Sequence, residues 1–430
     1  MSGSVPGVGR VRGLYYGWVL VVTLGITETI TWGIVYYSFS VFLPPMERDL
    51  GWSRGQMSGA LSVATLMSAL CAAPVGRWLD AHGPRLLMTV GSVLSVLLVL
   101  AWSRVESLVQ FYVLWAALGV VMSAVLYEPA MATIAVWFER QRARALTALT
   151  LIAGFASTIF MPIEGWSIEA YGWRLTLVLM AAFLALTTIL PHALILRRRP
   201  EDLGLSVDGE PEPRRAAGPA RRPAGVSVGR ALRDSAFRWL ALAFSLNMVA
   251  NIAVSVHLIP YLQDRGYDLG LAATATGAVG AMQVAGRIVL AALGDRVSLR
   301  WLTAIVMAMQ PVSLVLLLVI PGAAGLWVFI VVFGASRGIM SLLRPLFVAD
   351  LYGRERFASI SGALAAFVTA ATAVAPLGAG LVYDLMRSYD PLFWSFVLLS
   401  AVAAGVVLLV RSSAEETAAG NRMVNVEPSP

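Results

Sequence analysis

An all-α membrane protein, with twelve transmembrane helices in two six-helix bundles related by a parallel repeat, is the fold class that this sequence predicts. Three observations predict it. Apolar runs long enough to cross a hydrocarbon core of about 30 Å recur from one end of the chain to the other. Short charged loops separate them, so that 58% of the 430 residues are hydrophobic and only 13% charged, against about 25% charge in a soluble domain. Finally, landmarks of the first half return in the second at a nearly fixed offset.

Taken in order, the apolar runs cover residues 17–43, 57–79, 86–102, 109–137, 145–163, 173–196, 239–262, 272–293, 301–320, 326–348, 360–382 and 392–410. Each is read as a helix, because in lipid only a helix or a closed barrel satisfies its own amides. Runs this long and this uniformly apolar do not fit barrel strands. The first run is too long for a signal peptide and lacks a small-residue cleavage site. Residues 1–196 then form a first bundle and 237–411 a second. Residues 197–236 form a cytoplasmic linker, rich in Pro, Gly, Ala and Arg and expected to be flexible, and 412–430 a cytoplasmic tail. Asp80 recurs as Asp295, 215 positions later, while Phe138-Glu-Arg140-Gln-Arg142 recurs as Tyr352-Gly-Arg354-Glu-Arg356 and Pro162 as Pro376, both at 214. Six spans separate the copies, so both halves have the same orientation, and a parallel repeat of this kind places its substrate site near the midplane.

Arginines set the topology. Arg10, Arg12, Arg85, Arg140, Arg142 and Arg144 share one side with the whole central loop, while the opposite loops hold fewer bases, among them Arg48, Arg54 and Arg104. The positive-inside rule makes both termini cytoplasmic in a multi-pass protein of the plasma (inner) membrane. The net charge of +7 therefore reports orientation and not nucleic-acid binding. Cys71 is the sole cysteine, which excludes a disulfide framework and a Cys-based metal site. No zinc pattern, Walker loop or Ser-His-Asp arrangement is present, so no cofactor, no ATP and no enzymatic activity are expected; a gradient or exchange would drive transport.

An ionised side chain at the bilayer centre costs about 2.5–3.5 kcal/mol on insertion scales, which makes each one a functional candidate. Those inside the runs are Glu28 in span 1, Glu128 in span 4, Glu164 toward the outer end of span 5, Arg287 in span 8, and Arg337 and Arg344 in span 10. Arg337 and Arg344 share a helical face, and Gly334 and Gly338 flank Arg337 in a spacing that permits close helix approach or a local kink. A cationic track for an anion is one reading, since guanidinium grips a carboxylate bidentately; ion pairs that lock the protein together are the other. Glu28 and Glu128 are the proton-coupling candidates, because a proton-coupled carrier needs a group that changes charge inside the barrier. Glu164 is assigned an interfacial or structural role. Tyr127 offers a hydroxyl to a carboxylate, and His257, just before Pro260, can donate to an anion or relay a proton.

Gly76-Arg-Trp-Leu-Asp80-Ala-His-Gly83-Pro84-Arg85, between spans 2 and 3, resembles the signature loop of the major facilitator superfamily, Gly-x-x-x-Asp-x-x-Gly-x-Arg. It departs at Ala81, where most members carry a base. The resemblance implies a cytoplasmic gate of Gly76, Asp80, Gly83 and Arg85, with Asp295 and Arg296 in the second copy. Tyr16-Gly17-Trp18-Val19, Gly51-Trp52-Ser53-Arg54, Tyr171-Gly-Trp-Arg174, Arg199-Pro-Glu-Asp-Leu-Gly204 and the stretch from Pro376 to Tyr383-Asp384 are similar to the monocarboxylate porter and oxalate:formate antiporter branch. That resemblance implies that the span 8 arginine, here Arg287, binds the substrate carboxylate, with Tyr127 and His257 at the polar positions of spans 4 and 7. The branch carries a span 1 lysine where this chain has Tyr36 and Tyr37, and an acid one turn before the arginine where it has Gln283. Oxalate is disfavoured, because the relatives' span 11 lysine is absent.

The expected activity is secondary transport of a small organic anion, a monocarboxylate first, by alternating access and with a proton or counter-anion as partner. Arg287, Tyr127, His257 and Arg337 would bind substrate. Efflux of an apolar or cationic compound recognised by Glu28 and Glu128 is the alternative. A nontransporting sensor on the same fold is a further one.

Overall fold

The protein is described by a computed structural model that covers residues 10–11, 14–209, 228–293, 298–352 and 357–410. Twelve helices among these residues are long and apolar enough to cross a membrane. They are α1 (Tyr16–Leu50), α2 (Arg54–His82), α3 (Pro84–Trp102), α4 (Leu108–Trp137), α5 (Arg142–Tyr171), α6 (Trp173–Leu194), α7 (Ser235–Asp264), α8 (Leu269–Leu290), α9 (Leu299–Val319), α10 (Gly322–Tyr352), α11 (Ser359–Met386) and α12 (Asp390–Val407). Every expected run has its helix. The largest change of boundary is in α5, which continues well past residue 163 because Glu164, the residue that breaks its apolar pattern, is fully buried. A short ribbon of β1 (Arg10–Val11) and β2 (Leu14–Tyr15), antiparallel with Arg10 opposite Tyr15, precedes α1.

Several of the helices are interrupted, and the interruptions have chemical causes. Pro129 cannot donate to the carbonyl of Val125, and α4 breaks at Leu126, whose backbone is extended, before restarting at Tyr127. Pro376 follows a similar break in α11, where helical geometry lapses at Val374. In α1 the turns from Trp32 to Tyr37 widen to a π-helix, and Ser38 Oγ returns a bond to Gly33 O at 3.1 Å. A Cβ at Gly33 would lie 2.3 Å from the Phe160 ring, so glycine is what lets α1 close on α5 there.

The chain divides into two compact units. The first comprises Met1–Pro219, Ser255–Ala281 and Pro376–Leu385; the second comprises Ala220–Val254, Met282–Ala375 and Met386–Pro430. In the first, α1 packs on α5, α2 on α4, and α3 on α4 and α6. Leu20, Leu24, Met88, Ile134, Trp137, Phe138 and Leu149 make one buried cluster. In the second, α9 packs against α10 and α12, over a core that includes Phe237, Phe244, Met307, Leu343 and Phe347. Gln310 on α9 donates to Ser400 Oγ (2.9 Å) and to Asn247 O (3.3 Å), a polar tie that fixes three helices where lipid supplies no hydrophobic drive.

Residues 197–209, expected as the start of a flexible linker, fold against the first unit. Helical turns at Pro200–Leu203 and Val207–Gly209 bring Asp208 to the loop after α4. Its carboxylate accepts from three consecutive amides, those of Glu139 (3.1 Å), Arg140 (2.8 Å) and Gln141 (3.3 Å). Tyr15 donates to Trp137 O, and burial, together with the nearby Asp208 and Glu201 charges, holds its phenol above the ordinary value. The rest of the linker up to residue 227, and the 411–430 tail, lie outside the described residues.

Candidate functional site

The first unit gathers carboxyls and aromatic rings. Trp32, at the start of the π-turn, packs against Tyr127 at 5.0 Å between centroids, against Tyr36 at 5.1 Å and against Tyr37 at 6.0 Å. All four rings are half-buried. One turn before Trp32, Glu28 is wholly buried, and neither carboxyl oxygen has a hydrogen-bond partner among the described residues. Glu128 opens the second part of α4 and is exposed. A π-turn is a frequent companion of functional positions, because it re-aims side chains that a regular helix would bury. Here it lies between Glu28 and Ser38. Glu164 is not interfacial: it is 0% exposed, and Ser38 Oγ donates to its Oε1.

His257 lies in the same unit but in a different setting. It too is fully buried. Its Nε2 is 3.1 Å from Pro376 O, which makes it the donor, and 3.4 Å from Ser58 Oγ. In this conformation the imidazole joins α7 to α2 and α11, and is a packing residue instead of the wall of an open pocket. Beside it lies a cluster that the sequence reading did not assemble. Arg54, at the first turn of α2, forks onto Asp264 at 2.7 and 2.8 Å and gives Nε to Glu47 at 2.8 Å. Its guanidinium sits 4.0 Å from the centre of the Tyr383 ring. Asp384 Oδ2 accepts from Ser53 Oγ (2.6 Å) and from the Gly55 amide (3.0 Å). The available signals were Ser53-x-x-Gln56, a capping box that marks the helix start, and single charges at the ends of apolar runs. Nothing in one sequence pairs Arg54 with Asp264 across 210 residues.

The arginines expected within the apolar runs belong to the second unit. Arg287 on α8 and Arg337, midway along α10, are both half-buried, as is Arg344. The crossing of α8 and α10 places the first two. A Cβ at Gly286 would lie 2.4 Å from Ala335 O, and one at Gly338 would lie 2.0 Å from Gln283 O. Each arginine is thus the sequence neighbour of a glycine in a close backbone contact between α8 and α10.

At the signature loop, Gly83 has φ +81°, which favours glycine. Arg85 gives Nε to Ala193 O at 2.6 Å, and Arg198 reaches Asp80 O at 3.1 Å. Asp80 and Arg85 are both exposed, and among the described contacts no ion pair joins them. A Cβ at Gly76 would meet nothing within 4 Å. Asp295 and Arg296 lie outside the described residues.

A family profile described as Major Facilitator Superfamily matches residues 28–376. The chain belongs to that superfamily. Among curated relatives, monocarboxylate transporter 13 of Bos taurus is 25% identical over 348 residues, covering 79% of this chain and 76% of that protein. The agnestins efflux protein AgnL12 of Paecilomyces divaricatus is 24% identical over 361 residues, covering 83% of this chain and 77% of that one. Among solved structures, a bacterial homolog of the human lysosomal transporter Spinster, in an inward-facing and unoccupied conformation, matches at a TM-score of 0.69 with 14% identity over the whole of both chains. This likeness establishes the fold. The superfamily member described here is a multi-pass membrane transporter and not an enzyme.

Proposed function

We propose that this chain is a secondary transporter for a small organic anion, a monocarboxylate first, working by alternating access. Arg287 takes the substrate carboxylate, with help from Arg337 and Tyr127. Glu28 holds the proton that crosses with it, and Glu128 is the second candidate for that role. The observation that carries the reading is the pair of arginines beside the Gly286 and Gly338 contacts. Keeping two guanidinium groups inside membrane helices is costly, and an anionic cargo accounts for both. Matches to proteins named monocarboxylate transporters support the same substrate class. The arginine distribution along the sequence supports cytoplasmic termini in an inner (plasma) membrane. His257 is left out of the ligand set, because it is bonded to Pro376 O inside packed protein.

Uptake of labelled lactate and pyruvate into proteoliposomes, with and without an inward proton gradient, tests the proposal. Saturable uptake that a gradient accelerates is expected. Uptake unchanged in Arg287→Ala would remove the assigned site.

A second reading has its own observation. The Trp32, Tyr36, Tyr37 and Tyr127 rings beside Glu28 and Glu128 are chemistry that suits a cationic or planar compound, and one relative is named as an efflux protein. Under this reading the lactate assay is silent, and a lipophilic cation is expelled in its place.

A further inference from the structure

We infer that Glu164 is a proton-operated latch on the π-turn of α1: it carries a proton in this conformation, and losing it releases the turn. The inference goes beyond the transport reading above, which places its proton on Glu28 or Glu128. It starts from a count of hydrogens. Ser38 Oγ stands within bonding distance of two acceptors, Gly33 O at 3.1 Å and Glu164 Oε1. A hydroxyl has one hydrogen to give, whereas a carbonyl and an ionised carboxylate can only accept. With Glu164 ionised, one of the two contacts would set lone pair against lone pair. With Glu164 protonated, both are bonds: the carboxyl donates to Ser38 Oγ, and Ser38 donates to Gly33 O.

The surroundings offer an ionised Glu164 no other support. Ser38 and Glu164 are both 0% exposed. Among the described residues Ser38 is the carboxyl's only hydrogen-bond partner, and Oε2 has none. Packing is close on two sides. A Cβ at Gly33 would lie 2.3 Å from the ring of Phe160, one turn before Glu164, and one at Gly165 would lie 2.8 Å from Ala273 Cβ. Helices α1, α6 and the start of α8 pack against this part of α5. Residues 269–281 of α8 include no titratable group. On α6, Arg174 gives to Ser103 O and His192 meets Ser92 Oγ. On α1, Glu47 takes Arg54, Asp49 takes Trp173 Nε1, and Arg48 is exposed. Glu28 stands one turn before Trp32, whose ring packs against Tyr36 and Tyr37. Glu169, farther along α5, accepts the Gly270 amide. A buried carboxylate with one hydrogen bond and no counter-charge is costly, and a neutral carboxyl is far less so.

The bond that depends on this proton is specific to the π-turn. Gly33 lies five residues before Ser38, and the widened register brings its carbonyl to both the amide and the hydroxyl of Ser38. In an α-register the same hydroxyl would meet Ile34 O, four residues back. Ionisation draws the Ser38 hydrogen to the carboxylate, which binds it more tightly than a carbonyl does. The π form then loses the one side-chain bond that favours it. Reversion to an α-register turns the part of α1 that bears Glu28 and Trp32 by about 100° relative to Ser38, the angle of one residue. The latch is therefore closed at low pH and opens as rising pH removes the proton.

Two measurements on the full-length protein in nanodiscs test this without any substrate. In infrared difference spectra of the parent against Glu164→Gln, the parent is expected to show a protonated-carboxyl band at neutral pH and to lose it as pH rises. Hydrogen exchange of residues 33–38 reads the π-turn. Glutamine keeps a donor toward Ser38 and cannot ionise, so Glu164→Gln should match the parent at neutral pH. Where the carboxyl band has gone, the parent should exchange about tenfold faster than Glu164→Gln, as befits one lost hydrogen bond. Comparing proteins at one pH cancels the intrinsic chemistry of exchange. Ser38→Ala should exchange about tenfold faster than the parent at neutral pH, and the two should converge as pH rises; this pair serves by itself should Glu164→Gln fail to fold. A carboxylate band from Glu164 at neutral pH overturns the inference. So does a carboxyl band that persists at every pH where the protein stays monodisperse, since a proton that never leaves switches nothing. Exchange that is the same in the parent and Ser38→Ala at neutral pH overturns it as well.

Discussion

The two units of this transporter have taken opposite chemistries into the membrane. Among the described residues, the first holds the carboxyls Glu28 and Glu164, both fully buried, with a cluster of four aromatic rings. The second holds Arg287, Arg337 and Arg344, set by close glycine contacts, and an amide and hydroxyl tie at Gln310. The repeat read from the sequence, Asp80 with Asp295 and Pro162 with Pro376, does not coincide with these units, since Pro162 and Pro376 both belong to the first. The units nonetheless differ in the charge they bury.

The sharpest way to break that contrast is to remove one cation. Arg287→Ala is expected to lower lactate uptake by more than about a hundredfold, because a carboxylate left without its buried partner loses about 3–5 kcal/mol. Arg337→Ala should cost less, and the ratio of the two, measured as initial rates at fixed substrate, ranks the arginines. Next in size is Glu28→Gln. One pH unit corresponds to 1.36 kcal/mol, or about tenfold in accumulation for a one-proton symporter. The parent should concentrate lactate about tenfold on such a gradient, and the variant should not, while lactate-for-lactate exchange persists in both. Loss of exchange as well would show that Glu28 is structural, and would move the proton to Glu128 or to the buried Glu164.

Much of the fold was legible in the sequence because hydropathy and backbone satisfaction leave few choices in lipid. All twelve helices follow from it, and of the two readings of the Gly334-x-x-x-Gly338 spacing, close approach or a local kink, Gly338 meets the first. What stayed hidden required partners. Glu164 read as interfacial or structural, and only Ser38, 126 positions away, decides for the second by showing it enclosed. His257 read as a ligand because its bond to Pro376 O cannot be inferred from either residue alone. The contacts of Ser53, Gly55 and Ser58 were invisible for a related reason: serine and glycine are the default residues of any tight membrane crossing. Asp208 was lost in a segment whose composition reads as linker. Its three amide contacts depend on a backbone φ of 59° at Asp208 itself, where aspartate is among the few residues tolerated.

A smaller effect compares two glycines within the second unit. Gly338→Ala drives a methyl against Gln283 O and is expected to cost about 1–3 kcal/mol as overpacking, read as a lower unfolding temperature in detergent. Gly405 on α12 has nothing within 4 Å of its Cβ position. Gly405→Ala should be neutral or stabilise by up to about 1 kcal/mol through helix propensity. Equal losses at both sites would mean that the close contact of α8 and α10 does not limit stability.

The smallest expected change asks whether the units open independently. Asp208→Asn keeps one acceptor oxygen and tolerates a positive φ, so it should cost well under 1 kcal/mol. Asp208→Ala removes the acceptor from the amides of Glu139, Arg140 and Gln141 and places a methyl-bearing residue in the left-handed region, and it should cost about 2 kcal/mol from the two effects together. Hydrogen exchange locates the loss. Faster exchange confined to residues 139–153, with α9, α10 and α12 unchanged, is the result for two units that are each their own cooperative block. Exchange that quickens equally in α9 would tie the stability of the arginine-bearing unit to a single carboxylate on the other, and the division of labour drawn from their interiors would then not extend to their folding.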